Sequence, residues 1–156
     1  GTTKIMGNLT IGSNANVNLS GTLYVTGLIS FGSGSITQLN SSYGSSSGII
    51  LSDGVITVGS NLTIRGSGQT GSYILVLSTN PASTAISVGS NTTAVIFYTS
   101  TGGVTINSNA NVREVTGYRV GLGSNATLIY ESGLINLNFS GGPSGSYNIS
   151  SWKETE

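Results

Sequence analysis

The sequence predicts an all-β chain wound as a parallel β-solenoid, and three observations carry that prediction. First, one strand-turn-strand phrase recurs: Leu9-Thr10-Ile11-Gly12-Ser13-Asn14, Ile56-Thr57-Val58-Gly59-Ser60-Asn61, Ile86-Ser87-Val88-Gly89-Ser90-Asn91, Val104-Thr105-Ile106-Asn107-Ser108-Asn109 and Arg119-Val120-Gly121-Leu122-Gly123-Ser124-Asn125. Second, apolar and polar residues alternate between these turns, and no stretch shows a helical period. Third, only 6% of the residues are charged, where an ordinary domain carries about 25%, and 24 Gly with abundant Ser, Thr and Asn take up the polar load. A phrase that recurs at this scale is the mark of a repeat architecture, and its residues build backbone rather than chemistry.

The elements follow in chain order. Leu9-Thr10-Ile11, Val17-Asn18-Leu19, Leu23-Tyr24-Val25 and Val55-Ile56-Thr57-Val58 each place apolar groups on one face of a strand. Gly, Ser and Asn between them supply positive φ or local hydrogen bonds. The leading residue of the phrase falls at positions 12, 59, 89, 107 and 123, so the gaps are 47, 30, 18 and 16. These gaps fit one, two or three rungs of about 15 to 18 residues, a length that suits a short-rung solenoid, right-handed, rather than a propeller or leucine-rich array. Eight or nine coils at about 4.8 Å would form a rod about 40 Å long. Asn14, Asn16, Asn109 and Asn111 are placed to form side-chain ladders between coils. Short strands with regular turns also fit an antiparallel β-sandwich, the alternative fold.

After position 112 the character changes. Seven of the ten charges and five of the eleven aromatics lie there. Repeat arrays need an atypical terminal unit to close an apolar end. The reading is therefore solenoid coils over 1–112 and a capping segment over 113–156, continuous with the solenoid and anchored by Tyr130, Phe139 and Trp152. Leu128 to Pro143 reads as hairpin-like strands and a turn.

The composition excludes most chemistry. With no His, neither a Ser-His-Asp triad nor a His-based metal site can form, and with no Cys there is no thiolate site or disulfide. The acids Asp53, Glu114, Glu131, Glu154 and Glu156 share no tight motif for glycoside hydrolysis, and Asp53-Gly54 reads as a turn. No catalytic, cofactor-binding or metal-binding residue is assigned, and the chain is read as a non-enzyme. Net charge is zero and the five basic residues are scattered, which argues against nucleic acid and against a polybasic membrane patch. The longest apolar runs, Ile49-Ile50-Leu51 and Ile74-Leu75-Val76-Leu77, fall far short of the roughly 20 residues that span a bilayer. The chain opens on Gly1 without a signal peptide. This predicts a mature or truncated product that reaches a membrane only through a missing N-terminal segment. Eight Asn-x-Ser/Thr sequons, at Asn8, Asn18, Asn40, Asn61, Asn91, Asn125, Asn138 and Asn148, read as turn and strand chemistry before glycosylation.

Two resemblances add to this. Gly117-Tyr118-Arg119-Val120, Ala126-Thr127-Leu128-Ile129-Tyr130-Glu131-Ser132-Gly133-Leu134, Asn138-Phe139-Ser140-Gly141-Gly142-Pro143 and Ser151-Trp152-Lys153-Glu154 resemble the tail of minor-pilin-like (PilX-type) surface proteins of uncultivated bacteria. The likeness reaches back to about Tyr73 and implies a β-helical ectodomain behind a pilin-type helix. Gly7-Asn8-Leu9-Thr10-Ile11 and Gly21-Thr22-Leu23-Tyr24-Val25-Thr26-Gly27 look like coils of polymer-forming bactofilin-type solenoids. Neither resemblance transfers a catalytic residue.

The expected function is a non-enzymatic extracellular structural module of a pilus-associated or adhesive cell-surface protein. Its expected partners are further copies, pilus subunits, glycans or cell surfaces, with end-to-end addition at exposed strand edges. The alternative is a glycan-binding or ice-binding solenoid. For glycans the candidate stacking residues are Tyr98, Tyr118 and Tyr130; for ice, Thr does not recur as Thr-x-Thr at rung spacing, which sets that branch behind.

Overall fold

The computed structural model of the chain describes residues 1–94 and 96–129. Six coils stack there, each turning through three sheets. Coil 1 holds β1 (Thr3–Ile5), β2 (Leu9–Ile11) and β3 (Asn16–Leu19); coil 2 holds β4 (Leu23–Val25), β5 (Ile29–Phe31) and β6 (Ile36–Leu39). Coil 3 holds β7 (Gly48–Ser52), β8 (Ile56–Val58) and β9 (Thr63–Arg65). Coil 4 holds β10 (Ile74–Ser78) and β11 (Ile86–Val88), and crosses the third sheet through the single bridging residue Thr93. Coil 5 holds β12 (Ile96–Tyr98), β13 (Gly103–Ile106) and β14 (Asn111–Val112). Coil 6 holds β15 (Glu114–Thr116), β16 (Arg119–Leu122) and β17 (Thr127–Leu128). The first sheet runs β1-β4-β7-β10-β12-β15 and the second β2-β5-β8-β11-β13-β16.

Every strand pair among the described residues is parallel. The chain is a parallel β-solenoid, and the antiparallel sandwich does not apply. Residues 114–128, which the sequence assigns to the capping segment, continue the stack as coil 6 in parallel register. Tyr130, Phe139 and Trp152, and the hairpin-like segment beyond Ile129, lie outside the described residues.

The rungs are longer and less equal than expected. In the second sheet, Leu9 to Ile29 is 20 residues, Ile29 to Ile56 is 27, Ile56 to Ile86 is 30, Ile86 to Val104 is 18 and Val104 to Val120 is 16. The 47-residue gap in the phrase therefore holds two rungs and the 30-residue gap only one. Five rises of about 4.8 Å separate the first coil from the sixth, about 24 Å in all. The extra residues leave the coil at corners. Segments 40–47 and 66–73 both bulge between the third and first sheets and stack on each other: Ser72 Oγ donates to Ser46 O at 2.7 Å and Tyr73 N to Ser47 Oγ at 3.0 Å. Asn40 opens the first of these by accepting from Ser42 N at 3.0 Å, capping the 3-10 turn Ser41–Tyr43.

The core is a set of vertical columns. Strand residues point alternately in and out, and parallel register sets like positions above one another. Ile29, Ile56, Ile86 and Val104 form one inward column of the second sheet, and Phe31, Val58, Val88 and Ile106 form the next. Leu23, Ile50, Val76 and Phe97 line the first sheet. At the corners buried hydroxyls donate to backbone carbonyls. Ser52 Oγ donates to Gly27 O at 2.6 Å, Ser78 Oγ to Gly54 O at 2.8 Å and Thr92 Oγ1 to Gly59 O at 2.9 Å. Ser35 and Thr37 differ: their hydroxyls are buried without a hydrogen-bond partner among the described residues.

Candidate binding face

Strands β2, β5, β8 and β11 are three residues long, with the outer two turned inward and the middle one outward. Parallel register stacks those middle residues into one outward column: Thr10, Ser30, Thr57, Ser87 and Thr105, ending on Gly121. Five hydroxyls thus recur at about 4.8 Å along the rod. The alternation of Thr and Ser, and the unequal rungs, hide this column from any search for Thr-x-Thr at fixed spacing.

The phrase itself supplies the next three columns. Gly12, Gly32, Gly59, Gly89, Asn107 and Gly123 begin the corner between the second and third sheets. A Cβ on Gly59 would sit 2.6 Å from Ser33 N, and one on Gly89 2.5 Å from Gly59 C, so the close stacking selects glycine. Serine follows in every coil, at Ser13, Ser33, Ser60, Ser90, Ser108 and Ser124. Each of the last five accepts from the coil before it at 2.9–3.1 Å, beginning with Asn14 N on Ser33 O. Then comes the residue that turns the chain. Asn14, Asn61, Asn91, Asn109 and Asn125 have φ of 54–58°, and Gly34 fills the same place in coil 2 with φ 71°. That region costs most L-residues 1–2 kcal/mol, roughly, and is visited chiefly by Gly and Asn. Coil 2 therefore carries the phrase as Phe31-Gly32-Ser33-Gly34, with Gly in the place of Asn.

Of the expected ladder residues, Asn14 and Asn109 stand in this corner column, while Asn16 and Asn111 face outward from the third sheet. A side-chain rung joins Asn91 Nδ2 to Asn61 Oδ1 at 3.3 Å. A second polar ladder crosses the third sheet, where Gln38 Nε2 donates to Asn18 Oδ1 at 2.7 Å and Arg65 Nε to Gln38 Oε1 at 2.8 Å. Hydroxyl, glycine, serine and asparagine columns together make one regular uncharged strip.

No protein-family model matches the chain, and neither does any curated protein or solved structure.

The remaining candidate groups sit elsewhere. Tyr98 is half-buried on the outer side of the first sheet, between Leu77 and Thr116 in register. Tyr118 is 84% exposed at the turn between β15 and β16, its N bonded to Gly102 O at 2.9 Å. The two rings lie on neighbouring coils but on different surfaces, one on a sheet face and one on a corner. Tyr130 lies outside the described residues. Asp53, in the turn read from Asp53-Gly54, stitches three coils together. It accepts from Tyr24 Oη at 2.5 Å and from Thr79 Oγ1 at 3.1 Å, while Lys4 Nζ sits 5.1 Å above the Tyr24 ring. The bond to Asp53 and then burial hold the Tyr24 phenol above its usual pKa. Burial likewise pushes the Glu114 carboxyl up. Among the described residues no three acids gather as a metal site. An open groove of about 400 Å³ lies between Gly1, Ser20, Thr22, Tyr43 and Ser46, and its lining holds no carboxylate.

All six sequons within the described residues are exposed at Asn. The fold accounts for three of them without glycans. In Asn61-Leu62-Thr63, Asn91-Thr92-Thr93 and Asn125-Ala126-Thr127 the Asn makes the positive-φ corner, the second residue turns inward and the Thr joins the outward column of the third sheet. Asn8 and Asn18 are engaged as well, Asn8 Oδ1 accepting from Leu28 N at 3.0 Å.

Proposed function

We propose that this chain is a non-enzymatic structural module, the β-helical ectodomain of a pilus-associated or adhesive cell-surface protein, and that its uncharged hydroxyl and amide strip is the contact surface. One observation carries the reading: the same small neutral side chains recur in coil after coil along the second sheet and its corner. A catalytic site is a local departure from a scaffold's pattern, whereas this strip is the pattern itself. Repetition at about 4.8 Å suits a ligand that is itself extended and repetitive, such as a polysaccharide-coated surface. The C-terminal motifs that resemble PilX-type tails support the pilus branch, and end-to-end addition at the edge strands β1, β2 and β3 belongs to the same reading.

The test is adhesion of labelled protein to whole cells and to immobilised cell-surface polysaccharides. Thr57→Lys with Thr105→Lys places two charges on the hydroxyl column, separated by Ser87, and should fold as the parent does. The proposal expects at least a tenfold loss of adhesion in that variant. Unchanged adhesion, or breakdown of the polysaccharide by the parent protein, overturns it.

A second reading, ice binding, gains from the same column, because Thr10, Ser30, Thr57, Ser87 and Thr105 form a flat hydroxyl row. Thermal hysteresis with faceted ice crystals, abolished in the double lysine variant, would favour it over adhesion. Freezing at the buffer's own point would remove it.

A further inference from the structure

The outer side of the first sheet is built oppositely to the strip. Strands β7 and β10 are apolar on both faces, which explains why Ile49-Ile50-Leu51 and Ile74-Leu75-Val76-Leu77 do not alternate. Register stacks one outward column as Lys4, Tyr24, Leu51, Leu77, Tyr98 and Thr116. Beside it Ile49 and Leu75 are half-buried, Ile96 above them is buried at 5% exposure, and Glu114 follows in register. In the first column Tyr24, Leu51, Leu77 and Tyr98 are each half-buried and follow one another in register over four coils. An aromatic and leucine column left half-covered on a sheet face is a surface that a partner can finish burying.

The order along the first column reads nearly the same in both directions: Lys, Tyr, Leu, Leu, Tyr, Thr. Its centre falls between coils 3 and 4, the middle of the six. We propose that this face binds a second copy of the chain, sheet to sheet, about a two-fold axis that runs parallel to the strands and reverses the rod. The two-fold sets Tyr24 of one copy against Tyr98 of the other, and Leu51 against Leu77. It brings Lys4 over Thr116, two residues along the strand from Glu114 and so about 7 Å away, within the reach of a lysine side chain. The pair occurs twice by symmetry.

Charge also selects the orientation. Two rods packed face to face in the same direction would match coil 1 with coil 1 and coil 6 with coil 6, gathering the Lys4 pair at one end and the Glu114 pair at the other, and like charges collected at one end of an interface are unfavourable. Reversing one rod brings Lys4 of each copy to the level of Glu114 of the other. Glu114 is half-buried on its own coil, and its raised pKa reflects burial of the carboxylate, which a facing ammonium would relieve. The contact goes beyond the adhesive reading, since it uses a different sheet and leaves the hydroxyl strips of both copies facing outward.

Sedimentation equilibrium of the whole chain over a wide concentration range tests it. The parent should be dimeric. Leu51→Asp with Leu77→Asp should be monomeric with an unchanged far-ultraviolet spectrum. Lys4→Glu and Glu114→Lys, both at exposed or half-exposed positions, should each weaken the dimer about tenfold, as two symmetry-related pairs are reversed at once. Combining them should restore the parent's affinity. A parent that stays monomeric, an assembly that survives the double aspartate variant, or charge reversals that do not rescue each other overturns the proposal. The second outcome would point instead to end-to-end stacking.

Discussion

Phe97→Ala should cost about 3–5 kcal/mol of stability, the range for removing a fully buried aromatic ring. Phe97 is 0% exposed and stands in the inward column between Val76 of coil 4 and Val115 of coil 6. The solenoid interior is narrow, and only the coils directly above and below can move in to fill the space. Contacts in a stacked array run only between neighbours, so the loss should be local as well as large. Hydrogen exchange should show faster opening of β12, β13 and β15, with β2, β5 and β8 near their parent rates. A loss below about 1 kcal/mol by urea unfolding would mean that the ring is not in the core.

Gly89→Ala should cost about 1–3 kcal/mol, the usual penalty for forcing a methyl group into packed structure. Its Cβ would lie 2.5–2.7 Å from the backbone of Gly59 and Ser60, atoms held by the ladder and unable to swing away. Gly12→Ala is the matched control: it holds the same place in coil 1, where a Cβ meets nothing within 4 Å, and should be nearly neutral. The corner has some give. Asn107 occupies this position in coil 5, and its N lies 2.9 Å from Val88 O, where Gly32, Gly89 and Gly123 make the equivalent bond at 2.7 Å. If urea midpoints of the two alanine variants coincide, close stacking is not what selects glycine.

The class of fold was legible because its signals are local. Asn at a positive-φ corner, Gly where coils touch and an apolar residue on either side of Thr57 or Ser87 are each readable within six residues. Coil count was not legible, because a loop at a corner lengthens a rung without altering the strands that flank it. Segments 40–47 and 66–73 turned single rungs into apparent doubles. Coil 2 has Gly34 where the other coils have Asn, which breaks the phrase but leaves Gly32-Ser33-Gly34 readable as a turn. The hydroxyl column was beyond reach for the same reason, since Ser30 and Ser87 join Thr10, Thr57 and Thr105 only once the register is known. The outer face of the first sheet did leave a trace. Unbroken apolar runs at Ile49–Leu51 and Ile74–Leu77, too short for a membrane span, mean a strand apolar on both sides. Tyr98 and Tyr118 were singled out by residue type, which says nothing about which face of which coil they occupy.

The core, the hydroxyl face and the dimer all need side chains of successive coils to stand in columns, and this chain, with no native Cys, allows that to be measured directly. Thr57→Cys with Ser87→Cys puts two thiols in register on adjacent parallel strands, 30 residues apart in sequence. Neighbouring strands lie about 4.8 Å apart, inside the 4.4–6.8 Å Cα separation that a disulfide accepts, roughly speaking. Mild oxidation should close this pair within one chain and leave Thr57→Cys with Thr105→Cys, two coils apart, open. Failure of the first pair to close, or equal closure of both, would contradict the stacked register and with it the face, the core and the dimer built on it.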